Sequence, residues 1–118
     1  MTYVTGAERS GMPFWLHQLG EYLIAAILIA SSFYSPEPAV QAVLGALIMA
    51  NAAFADGQAG AFHVVGRTIH KWIDVGIMVL LLLAAVQGWV DVDTKGRIAL
   101  PLMSAALLML WLRTDFDD

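Results

Sequence analysis

Two short motifs of the same form carry the side chains best able to do chemistry in this chain. One reads HQLGE from His17 to Glu21, and the other reads HKWID from His70 to Asp74. Each places a carboxylate four residues after a histidine. Because four residues of an α-helix turn through about 400°, both side chains of a motif project from one helix face. An imidazole beside a carboxylate is suited to metal ligation, to proton transfer or to a simple hydrogen bond.

Four apolar stretches must position these motifs. The predicted spans are residues 14–34, 39–56, 70–90 and 98–113, and each approaches the roughly 20 helical residues that cross a bilayer. The chain is 59% hydrophobic and 14% charged over 118 residues, which leaves a soluble domain too little polar surface to cover its apolar groups. We therefore expect an all-α integral membrane protein, with residues 1–118 forming one multi-pass transmembrane domain in the lipid bilayer of the cell membrane.

The connections between the spans predict antiparallel neighbours. Pro36 and Pro38 end the first helix and start the second, since proline is tolerated in a first helical turn and excluded from interiors. Residues 56–60 and 91–96 break the chain twice more. These breaks predict an up-down-up-down bundle of four transmembrane helices. Pro101 is expected within about the first turn of the fourth helix.

The two motifs also indicate an internal repeat. An offset of 53 residues aligns His17 with His70 and Glu21 with Asp74, and it places the second and fourth spans in corresponding order. We interpret this as a duplicated two-helix hairpin, with the first and third helices pointing the same way. Both motifs then lie at similar depth, and Asn51 falls at that depth too. The predicted polar intramembrane layer consists of His17, Glu21, Asn51, His70 and Asp74.

The basic residues predict the orientation. One side of the bundle would hold Arg9, Arg67, Lys71 and Arg113, and the other only Lys95 and Arg97. Because lysine and arginine accumulate on the cytoplasmic side of membrane proteins, the short N- and C-terminal tails are predicted to be cytoplasmic.

Three interpretations of the polar layer stay open. In the first, each histidine donates to its own acid and Asn51 bonds across the bundle, so that the layer fixes helix register. In the second, His17, Glu21, His70 and Asp74 bind a metal ion, which requires the first and third helices to lie diagonally across the core. In the third, the layer handles protons or a quinone.

A further pattern extends the third helix towards its N-terminus. His63, Arg67, His70 and Asp74, at spacings of 4, 3 and 4, would share one helical stripe. The run from His63 through His70 to Asp74 resembles the His-x6-His-x3-Asp stretch of the haem-binding cytochrome b subunit of succinate dehydrogenase. That resemblance implies haem b with His63 as a ligand, and it makes His17, His63 and His70 candidate cofactor-binding residues. That family has three spans rather than four, and we do not assign the chain to it.

The composition excludes several functions. The absence of cysteine removes disulfides, thiolate metal sites and iron–sulfur clusters, and six scattered basic residues do not form a nucleic-acid surface. Catalysis as an independent enzyme is not expected, because the loops are too short to build a substrate pocket.

The expected function is that of a small accessory or assembly subunit of a larger membrane protein complex. The alternatives are a haem b or quinone-binding membrane anchor of an electron-transfer complex, and a small homo-oligomeric transporter or channel with an intramembrane histidine and acid site. The expected partners are accordingly other membrane subunits or further copies of the chain, with no cofactor identified.

Overall fold

The computed structural model describes residues 11–116. These residues form four helices, which are α1 (Phe14–Ser32), α2 (Ala39–Phe54), α3 (Arg67–Val86) and α4 (Thr94–Arg113). The predicted all-helical, four-helix architecture is confirmed. Residues 1–10 and 117–118 lie outside the described residues. Arg9 and most of the two tails that are predicted to be cytoplasmic belong to these residues.

The helices form a compact bundle in which each packs against two neighbours. α1 and α3 both contact α2 and α4, so α1 and α3 lie diagonally across the core. The directions alternate, because the start of α1 meets the end of α4 where Met12 N–H donates to Arg113 O. At the opposite end, the Ser35 hydroxyl after α1 donates to Asp93 before α4. We call these the termini end and the hairpin end of the bundle.

The helix lengths bear on membrane insertion. Within the described residues, α1, α3 and α4 have 19, 20 and 20 residues and are apolar enough to cross a membrane, whereas α2 has 16. At a rise of 1.5 Å per residue, α2 is about 24 Å long, shorter than a typical hydrocarbon core. Large apolar side chains such as Leu23, Leu83 and Leu102 point outward from the bundle.

The helix boundaries differ most from those expected from the sequence at the end of α3 and the start of α4, by four residues each. α3 ends at Val86 because the Gln87 side chain closes a turn, its amide oxygen accepting from the N–H groups of Trp89 and Val90. α4 begins earlier, at Thr94, and its Arg97 guanidinium donates to the carbonyls of Ala85 and Gln87 at the end of α3. Those carbonyls have no partner within the helix.

Because α4 begins early, Pro101 lies inside the helix instead of in its first turn. Proline there removes one backbone hydrogen bond of the helix.

The core divides into an apolar part and a polar part. Apolar side chains fill the middle and the hairpin end, and they include Ile24, Leu28, Ile48, Ile77, Leu81, Leu100 and Leu107. The polar layer lies next to this cluster on the termini side, one or two turns into α1 and α3 and close to the end of α2. The fold therefore places polar side chains against a tightly packed apolar core.

Candidate metal centre

The bundle brings the predicted polar layer together. His17 and Glu21 come from α1, and His70 and Asp74 come from α3; all four have 0% exposed surface. One ligand-capable atom from each lies within 4.8 Å of every other. Asn51 of α2, 7% exposed, borders the cluster. We call the four residues His17, Glu21, His70 and Asp74 the His/acid centre.

The pairing within the centre is crossed between the helices. His17 Nε2 lies 2.9 Å from Asp74 Oδ2, and His70 Nε2 lies 2.8 Å from Glu21 Oε1. The distances within each motif are longer, 3.4 Å from His17 Nε2 to Glu21 Oε2 and 3.5 Å from His70 Nε2 to Asp74 Oδ2. The expectation that each histidine bonds its own acid is therefore corrected, because the diagonal partner approaches more closely than the residue one turn away.

The outer ring nitrogens show how the histidines are oriented. His70 Nδ1 lies 3.1 Å from the Asn51 carbonyl oxygen, and because a carbonyl can only accept, Nδ1–H donates. His17 Nδ1 lies 2.8 Å from Thr114 Oγ1. The Thr114 hydroxyl donates to Leu110 O, so its oxygen accepts from His17. Metal-bound histidines have this arrangement, with one nitrogen on the metal and the other N–H held by an acceptor.

The two carboxylates of the centre differ in their hydrogen bonding. Asp74 Oδ1 accepts a hydrogen bond of 2.8 Å from the Asn51 side-chain amide. Glu21 Oε2 is buried and has no hydrogen-bond partner among the described residues. A buried polar atom without a partner costs about 1–3 kcal/mol. A cation at the centre would satisfy this oxygen.

The four histidine–carboxylate distances are close to those between neighbouring ligands of a tetrahedral metal ion, and one ligand atom from each of the four residues lies within 4.8 Å of the others. Zn²⁺ with nitrogen and oxygen ligands at about 2.0–2.2 Å places those ligands roughly 3.4 Å from one another. The four distances between a histidine Nε2 and a carboxylate oxygen range from 2.8 to 3.5 Å. Two carboxylates balance the charge of a divalent cation, and imidazole ligands favour zinc, iron, nickel or copper over magnesium or calcium.

Aromatic side chains cover the centre at the termini end. The Phe14 ring stacks on His17 with centroids 5.7 Å apart, and Phe116 meets the same imidazole edge-on at 5.1 Å. The loop of residues 55–66 folds beneath the bundle, where Ala59 N–H donates to the Gln18 side chain. Together with the apolar core on the other side, these groups shield the centre from water, which strengthens electrostatic binding there.

The structure separates His63 from the other two histidines. α3 begins at Arg67, so His63 lies in the loop, with its side chain exposed and 3.4 Å from Asp56. It therefore does not share a helical stripe with His70. The rings of His17 and His70 lie 5.7 Å apart with both Nε2 atoms turned towards carboxylates. The three histidines are not assembled into one cofactor site.

A cavity of about 500 Å³ lies away from the centre, at the hairpin end. Its walls are apolar side chains of α2 and α3, including Val40, Leu44, Leu80 and Leu83. The His/acid centre does not line this cavity. A ligand held there, such as a quinone, would not contact either buried histidine.

Comparison with known proteins identifies no relative. No protein-family model matches the chain, and neither a curated protein nor a solved structure shows significant similarity to it. We therefore infer the function from the site itself.

Sequence reasoning missed one residue of the site, Thr114. It lies 97 residues from His17, just beyond the predicted fourth span. The only signal for it was the antiparallel packing that returns the end of α4 to the start of α1.

Proposed function

We propose that this chain is a four-span integral membrane protein that binds one divalent transition-metal cation, of the Zn²⁺ class, at its His/acid centre. The observation that supports the proposal is the convergence of two imidazole Nε2 atoms and two carboxylates from diagonal helices within 4.8 Å. Both histidines already present their outer N–H groups to acceptors. The site is thus preorganised, which reduces the cost of binding.

Membrane insertion strengthens the need for a cation. A carboxylate within a bilayer costs about 2.5–3.5 kcal/mol at the centre and less towards the interface, and such groups generally pair with one another or mark an ion site. Two lie together here, at 0% exposure. In this proposal α2 also crosses the membrane despite its 16 residues, and the termini end, with Arg67, Lys71 and Arg113, faces the cytoplasm.

The proposal is tested by metal stoichiometry. The full chain is purified in detergent, equilibrated with Zn²⁺, freed of unbound metal and analysed by mass spectrometry of the elements. We expect one Zn²⁺ per chain for the wild type and a large loss for Glu21→Gln, which keeps the side-chain volume and removes the charge. Glu37→Gln, at an exposed glutamate of the hairpin end, is the matched control. Equal zinc content in the wild type and Glu21→Gln would disprove the site.

A second candidate, compatible with the first, is the accessory or assembly subunit expected from the sequence. Two observations favour it: the connections 33–38 and 87–93 are short, and the 55–66 loop folds onto α1. The described residues therefore form no domain outside the proposed membrane-spanning bundle. Mild detergent purification of the tagged chain, with mass spectrometry of what co-elutes, tests it. A partner at fixed ratio supports this role, whereas a chain that elutes alone argues against it.

A further inference from the structure

The last described residues form a strap across the termini end of the bundle. The strap comprises residues 113–116. Met12 N–H donates to Arg113 O at 2.6 Å, and Asp115 N–H donates to Met12 O at 3.0 Å. A Cβ added at Gly11 would lie 2.7 Å from Asp115 N and 2.8 Å from Arg113 O. The strap is thus seated directly against the backbone before α1, in a space that only glycine leaves open.

The strap places two side chains on the His/acid centre. Thr114 accepts the hydrogen bond from His17 Nδ1 at 2.8 Å, and the Phe116 ring lies 5.1 Å from the His17 ring. Phe116 also packs 5.8 Å from Phe14, and Lys71 Nζ lies 5.5 Å from the Phe116 centroid. One segment therefore both orients a ligand and covers it.

Of the groups that cover the centre, the strap lies nearest the surface: its residues 114–116 are half-buried, and both of the backbone hydrogen bonds described above join it to Met12. Phe14 belongs to the first turn of α1, and its exposed surface is only 1%. The 55–66 loop is held by several bonds: Ala59 N–H donates to Gln18, the Tyr22 hydroxyl donates to Ala59 O, and Val64 N–H donates to the carbonyl of Phe54 at the end of α2. Partly exposed segments with few backbone hydrogen bonds to the rest of a fold open at a low free-energy cost. On the far side, Leu28, Ile48 and Leu81 fill the core completely.

We propose that Thr114 is a positioning residue for His17 and that the strap is the access gate of the metal site, open to the aqueous phase at the termini end. This inference rests on the proposed metal binding. Opening the strap removes Phe116 from the His17 ring and releases the Thr114 bond, so that a cation reaches both Nε2 atoms. Closing it restores the imidazole orientation and excludes water.

The positioning role is tested with Co²⁺, whose visible spectrum reports ligand geometry. Thr114→Val preserves shape but removes the hydroxyl acceptor, and it should weaken Co²⁺ binding by about 10–100-fold, the usual effect of losing a group that orients a metal ligand. It should also change the spectrum of bound Co²⁺. Thr114→Ser restores the hydroxyl and should restore both affinity and spectrum. A valine variant with wild-type affinity and spectrum would refute the positioning role.

The gate is tested by the rate at which bound Co²⁺ is lost to excess chelator. Phe116→Ala and Gly11→Ala each loosen the strap while keeping all four metal-binding residues and Thr114. They should speed release by about tenfold while changing the dissociation constant by less than about threefold. Phe33→Ala, at an exposed phenylalanine of the hairpin end, is the control for the first. Gly76→Ala, where an added Cβ meets nothing within 4 Å, is the control for the second.

The outcomes separate the two proposals. A wild-type chain that binds no Co²⁺ refutes the metal site and the gate together. A wild-type chain that binds Co²⁺, with release from Phe116→Ala and Gly11→Ala as slow as from the control variants, refutes the gate alone and leaves the metal site standing.

Discussion

At the residue scale, His70 and His63 differ most clearly in what they can bind. His70 is fully buried and faces Glu21, whereas His63 is exposed in a loop. We expect His70→Gln to weaken Zn²⁺ binding by more than about 100-fold, because a directly bound ligand matters more than the outer groups that orient it. His63→Gln should leave binding unchanged. Competition with a chromophoric chelator measures both, and equal affinities for the two variants would remove His70 from the site.

Asn51 contributes to the centre through two separate groups. Its side-chain amide donates to Asp74, and its backbone carbonyl accepts from His70. Asn51→Leu removes only the first. The chain should then unfold more easily without metal, by about 0.6–2 kcal/mol, the range for polar bonds between membrane helices. Denaturant titration in detergent measures this difference; an unchanged midpoint would show that the Asn51–Asp74 bond does not stabilise the bundle.

The sequence predicted which residues lie together in the polar layer but not how they pair. The shared motif and the position of Asn51 near the end of its span placed all five polar residues in one layer. The acid that lies closest to each histidine depends on how α1 and α3 are rotated about their axes and how far apart they lie across the core. The residue spacing within a single helix determines neither quantity. Thr114 was missed for the same reason.

At the scale of elements, the α1–α2 contact depends on Gly45. A Cβ at this position would lie 2.7 Å from Ile29 Cγ1 and 3.1 Å from the Ala25 carbonyl oxygen. Gly45→Val should force the two helices apart and destabilise the bundle by about 1–3 kcal/mol, as overpacking does elsewhere. Gly76→Val carries the same change in helix propensity at an open position and is the control. Equal unfolding midpoints for the two variants would contradict this close contact.

The helix starts at Phe14 and Ala39 agree with the sequence, because prolines precede both. The end of α3 and the start of α4 do not. There, the bonds of Gln87 within its loop and of Arg97 to the end of α3 set the boundaries. Hydropathy cannot reveal such contacts.

At the scale of the whole molecule, the two halves share one plan but differ in detail. The 53-residue offset places α1 over α3 from its first residue almost to its last. In the crossed pairs, each histidine meets the acid of the other half: His17 lies next to Asp74, and His70 lies next to Glu21. The counterpart of Asn51 is Ser104, whose hydroxyl donates to Met78 O instead of to the centre. Thr114 supplies the contact to the first-half histidine. If the hairpin was duplicated, the two halves have since acquired different supports for their histidines.

The proposed four spans place the two ends of the bundle on opposite sides of the membrane. Because the chain has no cysteine, single cysteines can be introduced as Gln58→Cys at the termini end and Lys95→Cys at the hairpin end. In sealed vesicles of known orientation, an impermeant maleimide should label Gln58→Cys from the cytoplasmic side and Lys95→Cys from the opposite side. Labelling of both from one side would contradict the topology.

X-ray absorption spectroscopy of the zinc-loaded protein is the sharpest test of metal binding at the His/acid centre, since it reports the ligands of the metal itself. We predict four ligands at about 2.0–2.1 Å, with the multiple-scattering signature of two imidazoles, and the loss of that signature in the His17→Gln, His70→Gln double variant. An oxygen-only ligand shell, or an imidazole signal that persists in the double variant, would show that the His/acid centre is not where the metal binds.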